Sequence, residues 1–382
     1  MKTSRGARLT RLKASRVGTG LIGAVAVVVF APATAMAAVS SVPDTTDKVA
    51  GKVYGMTHAG DRAFIGGLFT AVGGRARSNA AAVGADGEVD RLFNPGVNGK
   101  VMAVAASQDG STIFLGGTFT QAGGAQRANL AAVDAVTGKA LAGWRADTSG
   151  TYPEVSSLAV HGQRLYVGGK FTGIDGTSRK RLVALNTSTG DVIPTFKPAP
   201  NSHVREVVVS PDGATVYAGG TFSMLGGQPR LFAGSVAAAS GVATSFAPNG
   251  YDGSNVVTIG LSPDGKRFFY STHRNRLYAY NPAASNTPVW HVNTNGNTQA
   301  IAVSANEMWI GGHFSAVTRN PRSFLASLDP VDGSLNAWNP KCVGGTYGVW
   351  ALVLEGTHLH VGGTFTGFDT IKQRGYARFS RV

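Results

Sequence analysis

One short pattern recurs along the chain and constrains the fold more than any other feature. It reads Gly-Gly-x-Phe, and its successive first glycines are 50, 52, 51, 92 and 51 residues apart. The six copies begin at Gly66, Gly116, Gly168, Gly219, Gly311 and Gly362. The gap of 92 residues predicts a degenerate seventh unit around residues 268–271. A period of this length is typical of repeat architectures built from one supersecondary unit.

Each unit has the same internal order. An alternating strand leads to a tight turn, such as the one at Asp109-Gly110, because glycine tolerates the positive φ that a hairpin needs. A second strand ends in the glycine pair, and a polar loop leads to a third strand. A further turn leads to an aromatic residue, such as Trp144. No segment of the chain has apolar residues spaced at a 3.6-residue period over a length that would predict a helix. Four short strands per unit of about 50 residues predict a blade of a β-propeller.

The unit count predicts the domain organisation. Seven units of about 49 residues account for residues 38–382, which leaves nothing for a second domain. We therefore expect an all-β, seven-bladed β-propeller with four-stranded blades. The last unit lacks its outer strand, and we expect residues 39–43 to supply it. Such pairing of the two termini would close the ring and cover an open sheet edge.

The first 37 residues have a different character. Six positive charges precede an apolar run over residues 20–30, and Ala35-Met36-Ala37 resembles a small-residue cleavage site. This pattern predicts a secretory signal peptide over residues 1–37 and a protein located outside the cell or in the cell envelope. Membrane attachment is expected only if this segment is retained.

Charge and cysteine content narrow the function classes. The formal net charge is +14, and loss of the six N-terminal charges leaves +8. Outside the cell, such a basic chain is better matched to an anionic glycan, a cell-wall polymer or a protein than to nucleic acid. The single cysteine, Cys342, excludes a disulfide framework and multi-cysteine metal sites.

The repeat resembles a known family. The order Gly-Gly-x-Phe-Thr-x-x-Gly-Gly, then Arg-x-Asn-Leu-Ala-x-x-Asp, Thr-Gly and Trp, is similar to that of secreted bacterial β-propellers of the delta-60 repeat type. The resemblance covers residues 50–382 and implies an exported binding or scaffolding module. It brings no catalytic residues with it. The fifth unit departs from the pattern because it lacks both glycine pairs.

A second resemblance bears on enzymatic activity. The segment from Ala132 to Trp144 is similar to the tryptophan docking motif of pyrroloquinoline quinone dehydrogenases. Their vicinal cysteines cannot be formed by a chain with one cysteine, so we expect no cofactor. A quinone-dependent oxidoreductase and a polysaccharide-cleaving enzyme remain the alternatives to a binding module. For glycoside cleavage, the candidate carboxylates are Asp134, Asp175, Asp329 and Asp369, although most occupy repeated positions that indicate turns and loops.

A regularly spaced arginine is the main candidate site. It follows the second glycine of each pair by ten residues, or eleven in the last unit. The six residues are Arg77, Arg127, Arg179, Arg230, Arg322 and Arg374, and Arg274 is the possible remnant in the fifth unit. In a propeller they would form a ring on one face. The ring either ties loops to backbone carbonyls or carboxylates, or captures an anionic polymer by fork geometry.

Histidines and tryptophans offer weaker candidates. His358 and His360 share one face of a strand, and with His313 they could begin a metal site, although we expect no metal. Trp309 and Trp350 lie outside the repeat's aromatic position, which indicates either core packing or a platform for sugars. We predict a monomeric, non-enzymatic binding module whose loop face is centred on the fifth blade. A self-associating envelope scaffold is the other alternative.

Overall fold

The computed structural model describes residues 38–248 and 252–381. Residues 1–37, for which a signal peptide is predicted, lie outside the described residues. The described part of the chain consists of strands, turns and loops, without a helix. It contains no helical segment of the length and hydropathy needed to span a bilayer. The prediction of an all-β chain is therefore confirmed for these residues.

The described residues form seven main antiparallel sheets in succession, and in each of them the first three strands pair in chain order. The term first, second or third strand refers below to this order within a sheet. The strands are Val49–Ala59, Arg62–Val72 and Ala80–Val83 in sheet 1; Lys100–Ala106, Thr112–Thr118 and Leu130–Asp134 in sheet 2; Val155–His161, Arg164–Gly169 and Leu182–Asn186 in sheet 3; Val204–Val209, Thr215–Gly220 and Ala233–Ala237 in sheet 4; Val256–Leu261, Phe268–Thr272 and Arg276–Tyr280 in sheet 5; Thr298–Val303, Met308–Gly312 and Leu325–Leu328 in sheet 6; and Val349–Glu355, His358–Gly363 and Tyr376–Ser380 in sheet 7.

The predicted fourth strands are shorter than expected. Sheet 5 has a full one, Pro288–Asn293. In five sheets the equivalent segment makes a single bridge, as between Val83 and Val89 in sheet 1. Two-residue strands form small hairpins and pairs in the loops between second and third strands or beside them: Arg75–Ala76, Gln121–Ala122, Ala125–Gln126, Thr148–Ser149, Gly173–Ile174, Thr177–Ser178, Met224–Leu225, Gln228–Pro229, Ala316–Val317, Asn320–Pro321, Cys342–Val343 and Gly367–Phe368.

The glycine pairs allow close approach in two directions. A Cβ on the first glycine would collide with a valine in the first strand of the next sheet, and one on the second glycine would collide with a backbone carbonyl within the same sheet. The first-glycine partners are Gly66 and Val101, Gly116 and Val155, Gly168 and Val204, Gly219 and Val256, Gly311 and Val349, and Gly362 and Val53. The last of these pairs packs sheet 7 against sheet 1. In sheet 5, Ser271 stands at this position, and its hydroxyl donates to the carbonyl of Thr298 at 2.7 Å.

Aromatic residues fill the space between neighbouring sheets, for example between sheets 1 and 2 and between sheets 2 and 3. The aromatic that ends a unit packs on an aromatic of the second strand in four sheets, with centroids 5.0 Å apart for Phe64 and Phe93 and 5.7 Å apart for Phe114 and Trp144. These rings are buried. Burial of such large apolar rings supplies much of the hydrophobic stabilisation of each sheet.

The first described residues pair with the last strand. Val39 bridges Arg381, and the Ser40 N–H donates to the Ser380 carbonyl at 2.8 Å. Further along, Asp44 Oδ2 accepts from Arg378 Nε at 2.6 Å. The N-terminal segment thus occupies the outer edge of sheet 7.

All first strands run in the same direction. Ser157 in sheet 3 accepts the Val207 N–H of sheet 4, and Glu206 in sheet 4 accepts the Ile259 N–H of sheet 5. These are equivalent positions, so neighbouring first strands lie side by side and in register. We call the end at which first strands begin the mouth end, and the end with the hairpins between first and second strands the hairpin end.

Candidate functional site

A cavity of about 530 Å³ lies between the first strands. Every sheet contributes to its wall, through residues that include Tyr54, Lys100, Glu154, Arg205, Val257, Gln299 and Trp350. Its volume is within the range of small-molecule and cofactor sites. The seven sheets therefore share one candidate site.

Strand alternation explains which side chains enter the cavity. In each first strand one residue is buried against the preceding sheet, for example Val53 in sheet 1 and Val101 in sheet 2. Side chains alternate between the two faces of a strand. The neighbours of these valines, including Lys52, Tyr54 and Lys100, consequently line the cavity.

Three aromatic rings and two lysines form a cluster at the mouth end. The rings of Tyr54 and Trp350 meet edge to face at 5.4 Å, and the Tyr347 ring lies 6.4 Å from that of Trp350. Lys52 Nζ is 5.8 Å from the Tyr347 ring centroid, and Lys100 Nζ is 5.7 Å from that of Tyr54. Such distances allow cation–π attraction. We call these five residues the aromatic–lysine cluster.

Neither lysine of this cluster forms an ion pair with another described residue. None of the ion pairs in the described part of the chain includes Lys52 or Lys100. Both side chains are only partly exposed. A partly desolvated ammonium group interacts more strongly with an incoming anion than a fully hydrated one does. The cluster therefore combines two ammonium groups with three aromatic rings in one part of the cavity wall.

In the wall formed by sheets 3 and 4, polar side chains form hydrogen bonds with one another. The Ser156 hydroxyl donates to Glu154 Oε1 at 2.8 Å and lies 2.8 Å from His203 Nε2. Glu154 approaches that same nitrogen at 3.7 Å, whereas a catalytic triad uses the two ring nitrogens separately. Burial lowers the pKa of His203 to about 4, so this histidine is neutral near pH 7. The arrangement does not favour a hydrolase.

Arg205 and His273 extend this arc towards sheet 5. Arg205 Nη1 lies 2.7 Å from His273 Nε2, and Asn297 Nδ2 lies 2.9 Å from His273 Nδ1. Arginine only donates hydrogen bonds, so Nε2 accepts from Arg205. Burial and then the Arg205 charge lower the pKa of His273. His273 is therefore a neutral acceptor that holds Arg205.

Glu206 is the second carboxyl group in the cavity wall. Its Oε2 accepts hydrogen bonds from the Thr258 hydroxyl and from the Ile259 N–H, the latter at 2.8 Å. Desolvation by burial raises its pKa to about 7, against the lowering effect of these two bonds. The carboxyl group links sheets 4 and 5 through their first strands. It is thus engaged in the packing between these sheets.

The structure places most of the predicted arginine set in loop-stabilising contacts. Arg77, Arg127, Arg179, Arg230 and Arg322 each donate from Nη1 to the carbonyl of the preceding residue. In all but Arg179, Nη2 also reaches a carbonyl 13 or 14 residues further on, such as Leu141 for Arg127 at 3.0 Å. Arg374 is exposed instead. These contacts tie a loop to the fourth segment of the same sheet and favour the structural interpretation.

The candidate carboxylates do not meet at one site. Asp134 and Asp329 accept backbone N–H groups in turns at the hairpin end. Asp175 and Asp369 lie in loops at the mouth end, both with positive φ. Glu154 and Glu206 are the acidic residues in the cavity wall, and their positions carried no repeat signal.

The histidine candidates do not lie together at one site in the structure, and neither do the tryptophan candidates. His313 follows the second strand of sheet 6 at the mouth end, whereas His358 begins the second strand of sheet 7 at the hairpin end. His360 is buried and bonds the Tyr376 hydroxyl at 2.8 Å. In the described ranges, no three His, Cys, Asp or Glu side chains form a group that could hold a metal. Trp309 is a core residue, and only Trp350 lines the cavity.

The sequence could have indicated the cavity residues by their irregularity. One residue before the buried position of each first strand, the seven units carry Lys52, Lys100, Glu154, His203, Asn255, Asn297 and Gly348. The residue after the buried position varies too, as Tyr54, Met102, Ser156, Arg205, Val257, Gln299 and Trp350. Variation at these two positions of a regular repeat is therefore the signal that marks this site.

Comparison with known proteins establishes the fold and little else. No family model matches the sequence, and no curated protein matches it either. A chain from a crystal structure of the mitotic checkpoint complex, a WD40-like β-propeller, aligns with a TM-score of 0.62 and 14% identity, covering 98% of this chain and 99% of that one. In all, 1418 chains of solved structures are similar, so the fold is too common to indicate one function.

Proposed function

We propose that this chain is a secreted, closed seven-bladed β-propeller of the delta-60 repeat type that binds an anionic extracellular polymer at its mouth end. The observation that carries the proposal is the aromatic–lysine cluster, in which two unpaired cations and three rings face one cavity. The ring is supported by the packing of sheet 7 on sheet 1 and by the bridge from Val39 to Arg381.

The distribution of charge supports the same end. Exposed cations of the loops at the mouth end are Arg75, Lys170, Lys180, Arg274, Arg319, Lys341, Lys372 and Arg374. Exposed acids of the turns at the hairpin end are Asp61, Asp86, Glu88, Asp109, Asp191, Asp212, Asp264, Asp332 and Glu355. Asp175 and Asp369 are exposed acids at the mouth end, and Lys139 and Lys266 are exposed cations at the hairpin end, so the division is one of net charge. Such a net division attracts a polyanion to one end and repels it from the other.

A polymer is favoured over a small isolated anion. The cations at the mouth end extend from the cavity to the surrounding loops, so a chain with repeated negative charges could contact several at once. Each contact adds a salt-sensitive contribution, while the cavity admits one small group. An acidic glycan or cell-wall polymer has both repeated negative charges and small units that could enter the cavity. An acidic protein segment has only the repeated charges.

Binding of polygalacturonate, an acidic glycan, tests this proposal. We expect the mature chain to bind it in 20 mM salt and to lose most of that affinity in 500 mM salt, because exposed ion pairs are screened. The Lys52→Gln, Lys100→Gln double variant should bind at least tenfold more weakly. Its matched control is Lys139→Gln, Lys266→Gln, which changes net charge equally at the hairpin end.

Two results would contradict the proposal. One is binding that is equally weak in both double variants, because it would place the polymer elsewhere. The other is the absence of binding by the wild-type chain to polygalacturonate and to other carboxylated or sulfated polymers at low salt.

A further inference from the structure

The aromatic–lysine cluster has features that simple attraction of a polyanion does not require. Tyr347 is 50% exposed at the cavity entrance, whereas Trp350 is partly buried beside it. The Nε1 atom of Trp350 is buried and has no hydrogen-bond partner. A buried indole N–H normally finds an acceptor. The cluster thus combines ring faces and two cations.

We propose that this cluster binds one pyranose residue that carries a single anionic substituent, as a subsite within the polymer-binding surface proposed above. The inference depends on that proposed function. A pyranose ring has one face made mostly of C–H groups, which packs on an aromatic ring, and a rim of hydroxyl groups that bind donors. Tyr54, Tyr347 and Trp350 supply the ring surfaces.

The lysines determine the charge that this subsite accepts. Lys52 and Lys100 come from equivalent positions of adjacent sheets and lie beside different rings of the cluster. A substituent held between them would be attracted by both ammonium groups. Lysine presents a compact point charge rather than a planar fork, so carboxylate and sulfate are both acceptable. A neutral sugar would leave both charges unpaired in a partly desolvated site.

The wall formed by sheets 3 and 4 limits where the anion can lie. Glu154 is the acid nearest the start of the first strand of sheet 3, and Ser156 and His203 already engage it. An anionic substituent placed near Glu154 would be repelled, whereas the sugar hydroxyl groups could bond to it. The electrostatics therefore orient the residue with its charge towards sheets 1 and 2.

Trigalacturonate is the probe that separates this subsite from general polyanion binding. We expect calorimetry to give a measurable Kd for it, and at least a tenfold higher Kd for the neutral galactotriose. Tyr347→Ala and Trp350→Ala should each raise the Kd for trigalacturonate at least tenfold. Tyr152→Ala is the matched control, since Tyr152 is 89% exposed and outside the cavity wall. It should leave the Kd within about twofold.

The outcomes distinguish the subsite from the proposed function. If polygalacturonate binds but trigalacturonate does not, or if the Tyr347 and Trp350 variants bind it like wild type, the subsite is wrong and the polymer-binding function stands. If neither ligand binds, and other acidic polymers do not either, the proposed function itself is contradicted. Tyr347 is half exposed, so its variant remains informative if Trp350→Ala does not fold. A trisulfated trisaccharide then shows whether sulfate replaces carboxylate.

Discussion

At the scale of single residues, the side chains that repeat from unit to unit differ from those that line the candidate site. Arg127 recurs in nearly every unit, and its guanidinium group donates to the Gln126 and Leu141 carbonyls. Such contacts between charged donors and carbonyls stabilise a loop that every blade contains. Lys100 and Trp350, by contrast, occupy positions where the units differ. The regular spacing of the arginines can be read from the sequence. The role of these arginines follows from the backbone carbonyls that their guanidinium groups contact in the structure.

Glu206 should make stability depend on pH. Its folded pKa is raised to about 7, above the value of 4.5 that a free glutamate has, because burial disfavours the charged form. The folded state therefore holds the proton more tightly. Relative stability is full below about pH 4.5 and is lost as the pH rises through 7. The loss is about 1 to 3 kcal/mol for a shift of this size in a side chain that borders the cavity.

The matched measurement is urea unfolding of wild type and Glu206→Gln from pH 5 to pH 8. The amide oxygen of glutamine can still accept from Thr258 and Ile259 but does not titrate. We expect wild type to lose stability relative to the variant as the pH rises. Histidines such as His203 titrate in both proteins, so their contribution cancels. A difference that stays constant between pH 5 and pH 8 would show that Glu206 does not hold this proton.

At the scale of strands and sheets, the sequence predicted the inner strands better than the outer ones. The glycine pairs identify the second strand of each unit, because only glycine leaves room for a valine of the next sheet and a carbonyl of its own. The fourth segments carry no such constraint and mostly make one bridge. In sheet 5, Ser271 and Thr272 replace glycine. That is why the degenerate unit could be located only from its spacing.

The N-terminal segment on sheet 7 should contribute to stability through Asp44. Its carboxylate accepts from Arg378 Nε at 2.6 Å and from the Ser380 hydroxyl. Asp44→Ala would leave a partly buried guanidinium without this partner, so we expect a loss of about 1 to 3 kcal/mol in the free energy of unfolding. Differential scanning calorimetry would show it as a lower Tm.

Asp86→Ala is the control for Asp44→Ala. Asp86 is exposed and accepts the Glu88 N–H within its own turn. Its replacement should cost less than Asp44→Ala. Equal Tm values for the two variants would mean that the terminal segment does not hold sheet 7.

At the scale of the whole molecule, two properties act together. The same direction of all first strands places the loops that follow second strands at one end. Those loops carry the exposed cations Arg75, Lys170, Lys180, Arg274, Arg319, Lys372 and Arg374. The cavity opens among the first strands. Net charge and repeat count could be read from the sequence, but the separation of acids from bases between the two ends required the direction of every strand.

Hydrogen–deuterium exchange with and without polygalacturonate tests the central claim most directly, because it reports which end of the molecule the polymer covers. Peptides spanning residues 50–56, 98–103 and 344–352 should become more protected when the polymer binds, while peptides containing the turns at Asp109, Asp212 and Asp264 should exchange unchanged. Protection of those turns, with none at the starts of the first strands, would contradict the account.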